Sequence, residues 1–106
     1  MKVFFTASAR GTVFYAHYYK LIYDELEKLH HTNLDNDILT LHSVSYYHNL
    51  EKQGEKAQKE LYKKKLSSLQ KADLCIFEVS LPSTSLGFLT AKALESHKPT
   101  IALYLT

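Results

Sequence analysis

Two short hydroxyl-bearing runs hold most of the chemistry in this 106-residue chain, and each stands just ahead of a segment with helical apolar spacing. The first is Ala7-Ser8-Ala9-Arg10-Gly11-Thr12. It combines a hydroxyl, a guanidinium and a glycine whose backbone can approach a ligand closely. Free N–H groups and the dipole at a helix start favour an anion there, and Arg10 adds a planar, bidentate donor suited to phosphate. The plainer reading is that Ser8 and Thr12 cap the helix while Arg10 is solvated. The second run is Ser80-Leu81-Pro82-Ser83-Thr84-Ser85. One of its last three residues must cap the following helix, and a hydroxyl-rich turn facing Arg10 would complete a phosphate cradle.

Other reactive side chains are less organised. The histidines His30, His31, His42 and His48 show neither HxxxH nor HExxH spacing, so neither a metal site nor a cofactor is expected. His42 either touches a ligand or serves as a cap or an exposed residue. Lys52, Lys56, Lys59, Lys63, Lys64 and Lys65 form a solvated helix face or an electropositive approach to an anion. Cys75 lies mid-strand in apolar company, as an inert core thiol would.

The elements that must position these runs follow from hydrophobic periodicity. Lys2 to Thr6 reads as a buried strand. Val13 to about His31 reads as an amphipathic helix with Phe14, Tyr18, Leu21, Ile22, Leu26 and Leu29 facing inward, and Thr12 as its N-cap. Thr32 to Asp37 is turn chemistry, and Ile38 to Leu41 a second strand ending near His42. Glu55 to Lys71 is a second helix with Glu55/Lys59 and Glu60/Lys64 pairs. Leu74 to Val79 is an apolar central strand, a third helix runs from the hydroxyl loop to about Ser96, and Thr100 to Leu105 is a fourth strand. Strand and helix therefore alternate, which predicts an α/β fold: a Rossmann-like open parallel sheet of four strands, order 2-1-3-4, with three helices. The order reverses between strands one and three, so both runs fall at the switch point where ligands of such sheets sit.

Composition sets the frame. Hydrophobic residues are 45% and charged residues 23%, and the chain is expected to be a single domain over 1–106. A net charge of +2 does not argue for a nucleic-acid polymer. No apolar run reaches the roughly 18 residues of a membrane span, and a lone cysteine points to a reducing cytoplasm. No helix follows strand four, so the first helix stands alone on its side of the sheet. An apolar sheet face is then left to a homodimer contact, giving three layers on dimerisation, with Tyr15, Tyr19 and Tyr23 at or near it.

Three segments, Phe4-Phe5-Thr6-Ala7-Ser8-Ala9-Arg10-Gly11, Ala72-Asp73-Leu74-Cys75-Ile76-Phe77-Glu78-Val79-Ser80-Leu81-Pro82-Ser83 and Lys98-Pro99-Thr100-Ile101-Ala102-Leu103-Tyr104, resemble the nucleoside 2-deoxyribosyltransferase superfamily, nearest its 2′-deoxynucleoside 5′-phosphate N-hydrolases. The likeness runs in order along the chain and includes Leu39-Thr40-Leu41-His42. It implies a Rossmann-like fold, homodimers, and cleavage or transfer at the N-glycosidic bond of a deoxynucleoside or its 5′-phosphate. It also implies nucleotide contacts at Ser8, Arg10, Gly11 and Ser83, with Ser85 beside them, and a pocket formed by Phe4, His42, Lys65, Gly87 and Leu89. Phe4 stands where that branch usually has tyrosine. The implied nucleophilic glutamate falls on Leu89, in the run Gly87-Phe88-Leu89-Thr90-Ala91, and a second acidic position falls on Lys65. The longer C-terminal part with which family members complete a neighbour's site has no counterpart in this sequence. The resemblance therefore implies a nucleoside or nucleoside monophosphate ligand with impaired or altered cleavage. Glu78 is the one nearby carboxylate that could stand in as a nucleophile, and a structural place at a strand end is its alternative. An active N-glycosidase using Glu78 and an interaction domain with a vestigial pocket are the rival readings.

Overall fold

The computed structural model describes residues 1–8, 11–35 and 52–105. Arg10, the strand expected at Ile38–Leu41 and His42 lie outside them. In chain order the elements are β1 (Lys2–Ala7), α1 (Thr12–Lys28), β2 (Thr32–Asn33), α2 (Glu55–Lys71), β3 (Leu74–Glu78), α3 (Thr84–Glu95) and β4 (Thr100–Leu103). The four strands pair in parallel in the order β2-β1-β3-β4, the order read from the alternation of elements. The sheet is open, and among the described residues three helices accompany it.

β1 is central because every residue from Val3 to Ala7 is buried, so both its faces need cover. It pairs with β3 from Val3↔Leu74 to Ala7↔Glu78. Asp73 locks that register: its N–H donates to the Lys2 carbonyl at 2.7 Å, and its carboxylate accepts from the Lys2 N–H at 2.8 Å. Val3, Phe5, Ala7 and Ile76 face α1, while Phe4, Cys75 and Phe77 face α2 and α3. The three layers thus exist within one chain.

Local readings are corrected in two places, at β2 and at the ends of α1. Thr32 and Asn33, expected in a turn, pair with Lys2 and Val3 as β2, and the Leu34 N–H continues the ladder to the Val3 carbonyl at 2.8 Å. Unpaired β1 backbone groups outweigh the local Asn/Asp turn preference there. Thr12 is the first helical residue of α1, behind a Gly11 N-cap that makes no side-chain hydrogen bond. α1 also stops at Lys28 instead of about His31. His30 takes a left-handed conformation (φ 64°), and the His31 N–H turns back to the Leu26 carbonyl at 3.0 Å.

The face of α1 is the third correction. Tyr19, Tyr23 and Leu26 are buried, with Tyr15 and Ile22 packed beside them, whereas Phe14 (73% exposed), Tyr18, Leu21 and Leu29 are exposed. Two apolar stripes lie about 100° apart on this helix, and periodicity does not choose between them. The choice is made by long-range partners. The Tyr23 ring meets Phe5 edge-on at 4.9 Å, and its hydroxyl donates to the Asp35 carbonyl at 2.8 Å. A tyrosine is readily buried where its hydroxyl finds such an acceptor. The tyrosine stripe is core, not a bare contact surface.

Tyr23→Ala should therefore cost about 3–5 kcal/mol, as loss of a core aromatic does. Phe14→Ala should stay within about 0.5 kcal/mol of the native chain. Urea unfolding midpoints of the two variants test this, and the reverse ranking would return the core to the Phe14 stripe.

Candidate functional site

The carboxyl ends of β1 and β3 bring the two hydroxyl runs to one edge. Ala7 and Glu78 are register partners at that edge, and the Gly11 N–H donates to the Ser8 carbonyl at 3.0 Å, closing a turn onto the start of α1. Ser8 is buried. Gly11 has ordinary helical dihedrals, so backbone freedom is not why glycine stands there. Space is the reason. A Cβ on Gly11 would collide with the Tyr19 hydroxyl and lie 3.1 Å from Tyr19 Cζ.

Glu78 is 3% exposed. Its Oε1 accepts from the Ser80 N–H at 3.0 Å and from the Ser80 hydroxyl, and Ser80 Oγ in turn accepts from the Leu105 N–H at 2.8 Å. Side chains alternate along β3, with Ile76 toward α1 and Phe77 toward α3, so Glu78 points to the α1 side. There it neighbours Tyr19. Burial, and then the Glu78 carboxylate, raise the Tyr19 phenol well above the usual tyrosine range. Glu78 Oε2, Tyr19 Oη and Ser8 Oγ are buried and make no hydrogen bond of normal geometry.

The other half of the site lies across the sheet. Ser83 caps α3, its Oγ accepting from the Leu86 N–H at 3.1 Å. Ser85 and Gly87 are exposed on the first turn. Leu89 is 2% exposed and belongs to the core cluster of Phe4, Phe77 and Leu86. Phe4 is fully buried beneath it. Lys65 is not directed at open space. Its Nζ lies 2.8 Å from Asp35 Oδ2, with the two side chains 11% and 4% exposed.

The structure thus sets Gly11 and Glu78 beside Tyr19 on the α1 side and Phe4 with Leu89 on the α3 side, and it does not bring Glu78 to Leu89. Tyr19, Ser80 and Asp35 escaped the sequence reading. The sequence places Tyr19 at or near a homodimer contact, and no local signal links Asp35 with Lys65, 30 positions away on another element.

An open α/β sheet of Rossmann-like order, with loops gathered at its switch point, defines the class of protein. No protein-family model matches the chain. It is 32% identical over 104 residues to "Putative 2'-deoxynucleoside 5'-phosphate N-hydrolase 1" of Methanosarcina mazei, an alignment covering 97% of this chain and 60% of that protein. The likeness to that protein thus runs along nearly the whole of this chain, which spans less than two thirds of this curated relative. Among the described residues no helix is long and apolar enough to cross a membrane, and no group of three or more His, Cys, Asp or Glu could hold a metal ion.

Placing a carboxylate at position 89 would set it among Phe4, Phe77 and Leu86. Leu89→Glu is expected to destabilise the chain by about 3–5 kcal/mol, the range for an uncompensated buried charge. A denaturant midpoint equal to the native one would show instead that position 89 opens to solvent.

Proposed function

We propose that the chain binds a nucleoside or nucleoside 5′-monophosphate at the head of β1 and β3, as a cytoplasmic nucleotide-site domain in which N-glycosidic cleavage is impaired or altered. The burial of Leu89 in the core carries this reading. Breaking a glycosidic bond builds positive charge on the sugar carbon, which a carboxylate must stabilise or attack. Leucine does neither, and Lys65 with its Asp35 partner contributes no free acid. What remains at the strand ends suits binding. Ser8 and Gly11 close a turn at a helix start, Ser83 heads the facing helix, and Arg10 lies between the first two in sequence. The substrate class named for the Methanosarcina mazei relative fits that anion-favouring edge. A second reading has Glu78 serving as the carboxylate of an active N-glycosidase. Its unpartnered Oε2 is the observation in favour.

The functional unit in this reading is a homodimer. Ile101, Leu103 and Leu105 on and beyond β4 are exposed, and a groove lined by Leu21, Ile22, Glu25, Leu26 and Leu103 runs beside them. Apolar surface left in water forgoes about 25 cal/mol per Å². Light scattering at micromolar concentration should give twice the 12.2 kDa of one chain, and a one-chain mass would overturn the dimer.

The ligand is tested by thermal shift with nucleosides and their mono- to triphosphates, each hit being incubated and assayed for free base. A ligand at a hundred times its Kd adds about 2.7 kcal/mol, an easily read shift. The expected result is a shift without base release, weakened by about 1–3 kcal/mol in Arg10→Ala. Base release that disappears in Glu78→Gln would establish the second reading. No shift with any compound would remove both.

A further inference from the structure

Among the described residues β4 is an edge of the sheet, and its sequence does little to blunt it. Natural edge strands are protected by charged side chains, by proline or by a covering element. From Thr100 to Leu105 the run Thr-Ile-Ala-Leu-Tyr-Leu carries no charge, and residues 101–105 are all exposed. Pro99 precedes it, but the Pro99 carbonyl turns inward to accept from the Cys75 N–H at 2.9 Å. The Leu103 carbonyl likewise accepts from the Val79 N–H at 2.7 Å, and the Leu105 N–H donates to Ser80 Oγ at 2.8 Å. Backbone groups alternate in direction along a strand, so Ala102 and Tyr104 turn their N–H and C=O groups to the outer side. Side chains alternate as well. Ile101 lies in register with Ile76 and Leu103 with Glu78, which puts Ile101, Leu103 and Leu105 on the α1 side, where Leu103 borders the groove of Leu21, Ile22 and Leu26.

We propose that this edge is the contact of the homodimer, on whose existence the inference rests: residues 101–105 pair antiparallel with those of a second copy about a two-fold axis at Leu103, joining the two sheets into one. A two-fold contact must be self-complementary, with every meeting of residues i and j repeated as j with i. The run Ile-Ala-Leu-Tyr-Leu meets that demand. Centred on Leu103, it sets Ile101 against Leu105, Leu103 against itself, and small Ala102 against large Tyr104. Ala102 and Tyr104 of opposite copies, whose backbone groups face outward, become hydrogen-bonded pairs on either side of the axis. Leu103 becomes the non-hydrogen-bonded pair between them, the alternation an antiparallel ladder requires. The charge-free edges meet without the repulsion that like charges set opposite one another would bring. On the α1 side the apolar stripes of both copies gather over the axis, next to the two grooves, and leave water together. Each copy uses this edge once, so the assembly closes at two chains.

The axis makes cysteine cross-linking a specific test. In a non-hydrogen-bonded pair the Cα atoms lie about 4.5 Å apart, within reach of a disulfide. Leu103→Cys should therefore form a disulfide-linked dimer under mild oxidation. Ile101→Cys should not, because its two copies stand about 14 Å apart along the strands. Ile101→Cys combined with Leu105→Cys in one chain should link again. Cys75, the one native cysteine, is buried and stays out of the reaction. Ala102→Pro supplies a second measurement: it removes an outward N–H and leaves the inward bonds to β3, a change that edge strands tolerate. With circular dichroism unchanged, it should weaken the dimer about a hundredfold, read by light scattering over a concentration series. If Ala102→Pro fails to fold, the cross-linking pattern decides alone. Ile101→Cys linking as readily as Leu103→Cys, or a folded Ala102→Pro that dimerises with native affinity, overturns this contact while leaving the homodimer. A one-chain mass for the native protein overturns both.

Discussion

The parallel pairing of β1 with β3 is the contact on which the rest of the molecule depends. It is held at its amino end by the two-way hydrogen bonding of Asp73 with Lys2 and runs to Ala7 opposite Glu78. Because side chains alternate along a strand, a slip of one residue would exchange the faces of β3. Phe77 would leave the α3 side, and Glu78 would be driven into it. With the register as it stands, both hydroxyl loops emerge at one edge, and the carboxylate at that edge is committed to the α1 side.

That commitment divides the site in two. On the α1 side a buried carboxylate is tolerated because a backbone N–H and a hydroxyl of Ser80 meet one of its oxygens. On the α3 side lies Leu89, to which the resemblance assigns the nucleophile's place, packed with Phe4 and Phe77 as in any apolar core. Lys65 belongs to neither half. Its charge is matched by Asp35 across the space between α2 and the end of β2, where an unpaired ammonium would be costly. The sheet therefore stands between Glu78 and the place where the resemblance puts the chemistry.

Several residues that make the sequence look like its relatives are structural. Asp73 is the register lock. Lys98, heading the last shared segment, donates from Nζ to the carbonyls of Gln70 and Ala72 at 2.8 and 2.9 Å and so caps the end of α2. Likeness in these segments reports the fold more directly than the reaction. Ser83 carries a double reading: it is a satisfied N-cap, and it is also a residue to which the resemblance assigns a nucleotide contact.

Alternation of strand and helix was enough to read the strand order and the side of the sheet taken by each helix, because chain connectivity and crossover handedness leave few other choices. The bounds of α2 were equally plain, since its ion pairs and apolar spacing are local properties of one segment. The roles of individual side chains were not. Which of two apolar stripes α1 buries, that β2 begins at Thr32, that Lys65 meets Asp35, and that Gly11 makes room for Tyr19 all depend on partners distant in sequence. Local pattern encodes which elements form, whereas pairing and packing across the folded chain settle which atoms meet, and the site is made of those meetings.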